Sequence, residues 1–326
     1  MASLLDCSRS SPSPLIPLNP NWYSIIFEST EKGNPPPPGT RLGVSYLVAS
    51  APLRSIPLPI ERLAPHLPPP PSFSLPVIQS LTSDSSADSS SSLSRFVGSV
   101  VWDAAALLCN FLFLHPSLVC GQTVLDLGTG TGLCGVVASL CGSPHSVLTD
   151  IEVLGSLVSL NVSGAVSKLG EWSSELSSSD AASGLAWQAV AAGMSRRLAA
   201  LTYGVYWWGG GLPPGISPGE GGLHFDVVIA SDDLYCDDAF PPLLATLKAI
   251  TGPDTMVIFS YKRRMNRREI PFFEKLAEFL TLLVVEKEGL DGSKVEFGET
   301  YIILAALTGG EKEKELRSGG GKFKCS

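Results

Sequence analysis

The chain has 326 residues, of which 44% are hydrophobic and 17% charged, and its formal net charge is −8. This apolar fraction excludes a fully disordered chain, and the acidic balance offers no surplus of cations for a phosphate backbone, so we do not expect a nucleic-acid partner. The best apolar runs, 104–114 and 279–285, fall short of the ~20 residues that span a bilayer, so we expect no membrane partner.

The N-terminal part of the chain is rich in Ser and Pro. Such sequence buries little apolar surface, so residues 1–40 are predicted to be a flexible segment. Residues 41–95 are predicted to form a small β element with Pro- and Ser-rich loops, in which 41–48 and 75–79 are strands.

A different pattern begins near residue 97, where strand and helix signals alternate. Predicted strands lie at 123–127, 146–149, 225–230, 256–261, 282–286 and 301–307. Predicted helices lie at 100–114, 133–140, 152–161, 239–250 and 270–280. This alternation indicates an α/β fold with a doubly wound, mostly parallel sheet covered on both faces. We assign it to one domain over 96–308, with an insertion near 163–205 and a disordered tail at 309–326.

The seven cysteines include no CxxC pair, and most of them lie in apolar runs. We therefore expect reduced thiols rather than a disulfide framework or a zinc site. The four histidines are scattered along the chain, so no metal site is predicted.

A glycine-rich turn follows the predicted strand at 123–127, where the sequence 124–132 reads VLDLGTGTG. Missing side chains let the backbone approach a ligand there. A phosphate loop is excluded because no Gly-Lys-Ser/Thr follows, and the dinucleotide fingerprint GxGxxG is excluded because residue 133 is Leu. Asp126, inside the strand, would repel a pyrophosphate and attract a cation. The turn therefore favours S-adenosylmethionine, which carries an ammonium and a sulfonium.

Polar side chains also end two other predicted strands. Asp150 ends the second strand of the domain, where an acid accepts hydrogen bonds from ribose hydroxyls in related α/β folds. Ser231, Asp232 and Tyr235 follow the strand at 225–230. The carboxyl ends of parallel strands share one edge, so these residues should face the same crevice as the glycines. An isolated Asp at such a position could instead serve only as a helix N-cap.

These motifs resemble the seven-β-strand, class I methyltransferases that use S-adenosylmethionine. More narrowly, the chain resembles the family-16 protein lysine methyltransferases. The narrower resemblance rests on GSVVWDAA from residue 98, DDLY at 232–235 as a DxxY motif, and the Trp-Gly at 208–209. The PVIQ at 76–79 is similar to a short strand of that family which ends in Gln. The resemblance covers about residues 75–307, with interruptions.

The resemblance implies a seven-stranded sheet, S-adenosylmethionine as cofactor, and a role for each matching residue. Asp126 and the glycines would hold the methionine and ribose portions, and Asp150 the ribose hydroxyls. Trp102 would close over the methionine end, and Trp208 would pack beside the adenine. The candidate cofactor-binding residues are Trp102, Asp126, Gly128, Gly130, Gly132, Asp150, Trp208 and Ser231. The candidate catalytic residues are Asp232 and Tyr235. Relatives carry an acid where Trp207 stands, so whether Trp207 or Trp208 packs on adenine stays open.

We therefore expect a methyltransferase that acts on a lysine side chain of a protein substrate. A methyltransferase on a small molecule or RNA, and a binding protein that keeps the fold without transfer, remain alternatives. A histidine-methylating relative would look similar. The basic cluster at 261–269 is a docking surface for an acidic protein substrate, a nucleic-acid contact, or a solvated loop and helix start. We expect a cytoplasmic or nuclear monomer, although the Ser-rich N-terminus with Arg9 leaves an organellar transit peptide open.

Overall fold

The protein is described by a computed structural model. The described residues are 16, 18–21, 53–79, 97–176, 181–213, 224–264, 266–286 and 300–318. The predicted strand at 41–48, the Ser-rich stretch and the last eight residues lie outside them.

A main sheet of eight strands organises the described residues. The strands of the protein are β1 (Leu18–Asn19), β2 (Leu53–Leu58), β3 (Phe73–Ile78), β4 (Thr123–Leu127), β5 (His145–Asp150), β6 (Thr202–Val205), β7 (Val227–Ser231), β8 (Met256–Lys262), β9 (Leu280–Val285) and β10 (Thr300–Leu307). The order in the main sheet is β1-β9-β10-β8-β7-β4-β5-β6, and β2 pairs with β3 in a separate antiparallel hairpin. Strands β4 to β8 are parallel to one another, whereas β10 is antiparallel to both β8 and β9.

Helices cover both faces of this sheet. They are α1 (Asp103–Leu114), α2 (Leu133–Leu140), α3 (Gly155–Glu175), α4 (Ala181–Ala199), α5 (Phe240–Ile250), α6 (Asn266–Ala277) and α7 (Glu311–Arg317). Buried side chains of α1 to α4 form one core with the hairpin, and those of α5 and α6 form a second core on the opposite face. The central strands are mostly apolar because both of their faces are buried, and the exceptions include Asp126 of β4 and Asp150 of β5. The predicted doubly wound, mostly parallel α/β fold with a small N-terminal β element is confirmed.

The region expected as an insertion near 163–205 contains most of α3, all of α4 and strand β6. Two buried tryptophans attach it to the hairpin. Trp172 of α3 donates a hydrogen bond to the carbonyl of Pro71 at 3.1 Å, and Trp187 of α4 donates one to the carbonyl of Pro68 at 2.8 Å. The two indole rings lie 6.0 Å apart at nearly right angles. These helices therefore belong to the core of the domain, in contrast to the expected insertion.

Three further differences from the sequence analysis are local. Leu18 and Asn19, in the segment expected to be flexible, form an eighth strand against β9. Helix α7 occupies the tail that was expected to be disordered, and its buried Glu313 accepts hydrogen bonds from Thr281 and Arg317. Cys120 is disulfide-bonded, so the prediction of reduced thiols is wrong at that position, whereas Cys109, Cys134, Cys141 and Cys236 are free. The predicted domain boundaries stay predictions.

The helical segment Glu152–Glu175 is long enough and apolar enough to cross a membrane, judged by length and composition alone. The sequence analysis did not single it out. One such helix is weak evidence for a membrane span, because core helices have the same properties. The buried Asn161 and Trp172 of this segment make hydrogen bonds to the hairpin, and 33% of its most apolar window is buried.

Candidate functional site

The carboxyl ends of β4, β5 and β7 open into one cavity of about 540 Å³. With the exception of Gly132, every residue that the sequence analysis nominated lines this cavity. They are Trp102, Asp126, Gly128, Gly130, Asp150, Trp208, Ser231, Asp232 and Tyr235. The predicted convergence of three strand ends is therefore confirmed by the geometry.

The turn after β4 requires its glycines. Gly128, Gly130 and Gly132 have φ values of 67°, 57° and 85°, a region that other residues rarely adopt. A Cβ on Gly130 would lie 2.8 Å from the carbonyl oxygen of Gly98, so the segment before α1 packs directly on the turn. Gly132 is instead the N-cap residue of α2, behind the cavity wall, and its backbone shapes the turn without lining the site.

Asp126 holds the turn together. Its carboxylate accepts hydrogen bonds from the Thr129 hydroxyl and from the backbone N–H of Gly135, at 2.8 Å, in the first turn of α2. The side chain is buried, and burial raises the pKa of Asp126 to about 7, although these hydrogen bonds oppose the shift. Asp126 therefore combines two functions, because it orders the glycine turn and is one of the acids that line the cavity.

Asp150 connects the same turn to β5. Its two carboxylate oxygens accept hydrogen bonds from the N–H groups of Gly130 and Ile151, both at 2.8 Å. Burial raises the pKa of Asp150 as well. The carboxylate retains further lone pairs, since each oxygen can accept two hydrogen bonds.

A tryptophan enters the cavity from the segment before α1. The indole of Trp102 donates a hydrogen bond to the carbonyl of Val97 at 2.8 Å. The neighbouring Val101 is fixed by the hairpin, since Gln79 accepts a hydrogen bond from its N–H at 2.9 Å and Arg54 donates one to its carbonyl at 2.8 Å. The motif resemblance drew attention to Gln79, whereas nothing in the sequence identified Arg54 as part of this support.

A buried amide links the hairpin to the glycine turn. Asn161 of α3 exchanges two hydrogen bonds with the backbone of Ile78, at 2.7 and 3.1 Å. Its amide nitrogen also donates to the carbonyl of Thr131 at 2.8 Å, inside the turn. One side chain therefore connects β3, α3 and the segment between β4 and α2.

Two tryptophans follow β6 and differ in exposure. Trp207 is 61% exposed, whereas Trp208 is half-buried and its ring carbon Cζ2 would lie 2.9 Å from a Cβ on Gly128. Trp208 is thus the one that contacts the glycine turn. This contact favours the assignment of Trp208, rather than Trp207, to the adenine end.

Asp232 is held in a bidentate ion pair. Both terminal nitrogens of Arg264 donate to its carboxylate oxygens, each at 2.6 Å, and its φ of 64° is the one positive value outside glycine among the described residues. Burial lowers the pKa of Arg264, but the hydrogen bonds and charge of Asp232 outweigh this effect and raise it. The Asp232 side chain is only 4% exposed. Tyr235 lines the same end of the cavity.

Asp233 is a site residue that the sequence analysis missed. It is buried, lines the cavity, and its Oδ2 atom has no hydrogen-bond partner among the described residues. The Ser231 hydroxyl also lacks one there. Burial, and then the nearby carboxylates of Asp150 and Asp126, raise the pKa of Asp233 well above its usual range. The sequence shows two adjacent acids, but it does not show that Arg264 forms its ion pair with Asp232 and not with Asp233.

The basic cluster at 261–269 is largely paired with acids. Besides Arg264, Lys262 contacts Asp103 at 2.5 Å, and Arg268 contacts Asp237 at 3.2 Å. These three cations are paired with acids, which argues against their use as an open docking surface for an acidic substrate.

Comparison with known proteins gives consistent results. A family model described as lysine methyltransferase matches residues 88–194 and 176–279. "Protein N-lysine methyltransferase METTL21A" of Danio rerio is 31% identical over 173 residues, which are 53% of this chain and 64% of that protein. "EEF1A lysine methyltransferase 3" of Xenopus tropicalis is 27% identical over 55% of this chain and 64% of that protein. "Protein-lysine N-methyltransferase EFM6" of Saccharomyces cerevisiae is 28% identical over 58% of this chain and 72% of that protein. The chain thus spans slightly less than two thirds of the first two relatives.

Proposed function

Because this chain belongs to the lysine methyltransferase family, we propose that it transfers the methyl group of S-adenosylmethionine to a lysine side chain of a protein. The acidity of the cavity carries this proposal. Its lining includes the aspartates at positions 126, 150, 232, 233 and 238, and no Lys or Arg among the described residues. Such a cavity disfavours phosphate-bearing cofactors and favours a cationic cofactor together with a basic acceptor.

The residues present fit S-adenosylmethionine. Its methyl group is carried on a positively charged sulfur, which makes it reactive toward an amine. Gly128 and Gly130 leave the turn without side chains, so backbone can approach the cofactor. Asp150 keeps lone pairs for ribose hydroxyls, and Trp208 offers an aromatic face at the same turn. Trp102 closes the methionine end, and Ser231 offers an unpaired hydroxyl.

The acceptor lysine must lose its proton before it attacks. An ordinary lysine has a pKa of ~10.4, so deprotonation at pH 7 costs about 4.6 kcal/mol. Desolvation in a closed cavity lowers that cost, and alignment of the amine with the methyl group supplies most of the rest. In this proposal Asp232 orients the amine, and Tyr235 forms the wall that excludes water.

The direct test is methyl transfer from radiolabelled S-adenosylmethionine by the full chain. The first substrate to assay is EEF1A, the protein in the name of the Xenopus relative. Cell extract is the second, with mass spectrometry of each labelled band. We expect label on protein that is lost when the modified lysine is changed to Arg. Label confined to RNA or small molecules, or label on histidine, would contradict the proposal.

We propose further that the protein acts as a monomer in the cytoplasm or nucleus. Size-exclusion chromatography with light scattering tests the first statement, and imaging of a tagged full chain tests the second. An organellar signal would support the alternative that residues near Arg9 form a transit peptide.

A further inference from the structure

The two adjacent aspartates after β7 have opposite environments. Asp232 has both oxygens occupied by Arg264, at 2.6 Å each. Asp233 leaves Oδ2 without a partner among the described residues, although the side chain is buried. An unsatisfied buried carboxyl oxygen is costly, so a ligand that supplied a partner for it would gain affinity there.

The position of Asp233 indicates which ligand that is. A Cβ on Gly128 would clash with its Oδ1 atom, so the carboxyl group lies against the first glycine of the turn. After burial, the charges that act most strongly on it are those of Asp150 and Asp126, the two acids already assigned to the cofactor. Asp233 therefore faces the cofactor side of the cavity.

Resting on the proposed function, we propose that Asp233 is a third cofactor-binding carboxylate, which pairs with the positive charge of S-adenosylmethionine. The Asp232–Arg264 ion pair fixes the backbone beside it. A cation near three clustered carboxylates relieves their mutual repulsion, whereas a neutral nucleoside leaves it unchanged.

This role predicts that Asp233 releases a proton when the cofactor binds. The titratable groups that face Asp233 are Asp150 of β5, Asp126 of β4 and its neighbour Asp232, which Arg264 compensates. Without a bound cation, burial and the like charges raise the pKa of Asp233 and so favour its protonated form. When a cationic cofactor binds, the ionised form is favoured, and the proton passes to the buffer.

The test measures binding by calorimetry to three compounds that differ in charge. S-adenosylmethionine has a sulfonium, an ammonium and a carboxylate, S-adenosylhomocysteine lacks only the sulfonium, and 5′-methylthioadenosine lacks all three charges. Asp233→Asn should weaken S-adenosylmethionine binding about tenfold or more, as expected for loss of the attraction between one carboxylate and a cationic ligand, and leave methylthioadenosine binding unchanged. The affinity for S-adenosylhomocysteine tells which charge Asp233 contacts. It should fall as much as the affinity for S-adenosylmethionine if the ammonium is the partner, and it should stay unchanged if the sulfonium is.

A second readout is proton release, obtained from binding heats in buffers of different ionisation enthalpy. Asp233→Asn should release fewer protons than the wild type when S-adenosylmethionine binds. Asp254→Asn is the matched control, since Asp254 is an exposed acid that does not line the cavity. It should behave as the wild type. Asparagine resembles the protonated carboxyl group, so the variant should fold, and circular dichroism confirms this. Asp233→Ser provides a second, smaller replacement.

Equal losses for S-adenosylmethionine and methylthioadenosine, or none, with unchanged proton release, would overturn the role of Asp233 while leaving the proposed function intact. Failure of the folded wild type to bind S-adenosylmethionine at all would instead overturn the proposed function, and this inference with it.

Discussion

Replacing Asp232 with Asn removes one partner of a buried ion pair while keeping a residue that tolerates positive φ. The pair has two hydrogen bonds of 2.6 Å, and the side chains of Asp232 and Arg264 are 4% and 30% exposed. Removing one partner of a fully buried ion pair lowers the free energy of unfolding by about 3–5 kcal/mol, and removing one partner of an exposed pair lowers it by less than about 1 kcal/mol. Because this pair is intermediate, we expect Asp232→Asn to lower the free energy of unfolding by about 2 kcal/mol.

The assay is a double-mutant cycle with Arg264→Gln, measured by urea unfolding of all four proteins. We expect a coupling energy of about 1–2 kcal/mol, since Asn and Gln no longer form a charged pair. Methyl transfer should fall at least about tenfold, while S-adenosylmethionine affinity stays close to wild type. Asp237→Asn is the control, because its partner Arg268 and Asp237 itself are exposed, and it should cost less than about 0.5 kcal/mol. A coupling below about 0.5 kcal/mol, or an equal loss of cofactor affinity, would refute the reasoning.

Three other predictions concern the turn and its supports. The pKa of Asp126 is about 7 in the folded protein against an ordinary value of 3.8, so its protonation favours folding at low pH, and this contribution is lost as the pH rises between the two values. It changes the free energy of unfolding by about 4 kcal/mol, and Asp126→Asn should flatten this pH dependence in unfolding measured from pH 4 to 8. Gly128→Ala should lower the free energy of unfolding by about 1–3 kcal/mol and weaken cofactor binding, because the added Cβ would meet Asp233 and the residue has a positive φ. Gly170→Ala in α3 is the control: its Cβ would meet nothing within 4 Å, so it should stabilise the protein by about 0.5–1 kcal/mol in thermal unfolding. Asn161→Leu should cost about 2–4 kcal/mol in urea unfolding and loosen cofactor binding, since three hydrogen bonds are lost; an unchanged midpoint would contradict the linking role given to this side chain.

Strands flanked by strong local signals were predictable from the sequence. The predicted strand at 123–127 and helix at 133–140 match β4 and α2, because an apolar run and a glycine turn define both boundaries. Helix α3 was predicted only to residue 161 but extends to 175. Its second half and α4 are rich in Ser, Ala and Gly, which give little contrast between buried and exposed faces. Their packing depends on two tryptophans that contact a distant hairpin.

The candidate site was predictable as a set of positions but not as a set of contacts. Glycines and acids at strand ends identified the cavity, since parallel strands bring their carboxyl ends together. The sequence could not distinguish Asp232 from Asp233, because their difference depends on Arg264, which lies 32 residues further along the chain. The role of Asp126 in holding α2 also depends on three-dimensional contacts with the turn.

The bonds that Arg54, Gln79 and Asn161 make across the hairpin have a consequence for the extent of the functional unit. A fragment that begins at residue 96 would retain every residue that lines the cavity. It would nevertheless lose the groups that hold the backbone beside Trp102. The cavity would then have to become ordered on binding, which costs affinity. The hairpin upstream of the α/β domain therefore preorganises the cavity without lining it. The part of the chain needed for tight binding is longer than the part that contacts the ligand.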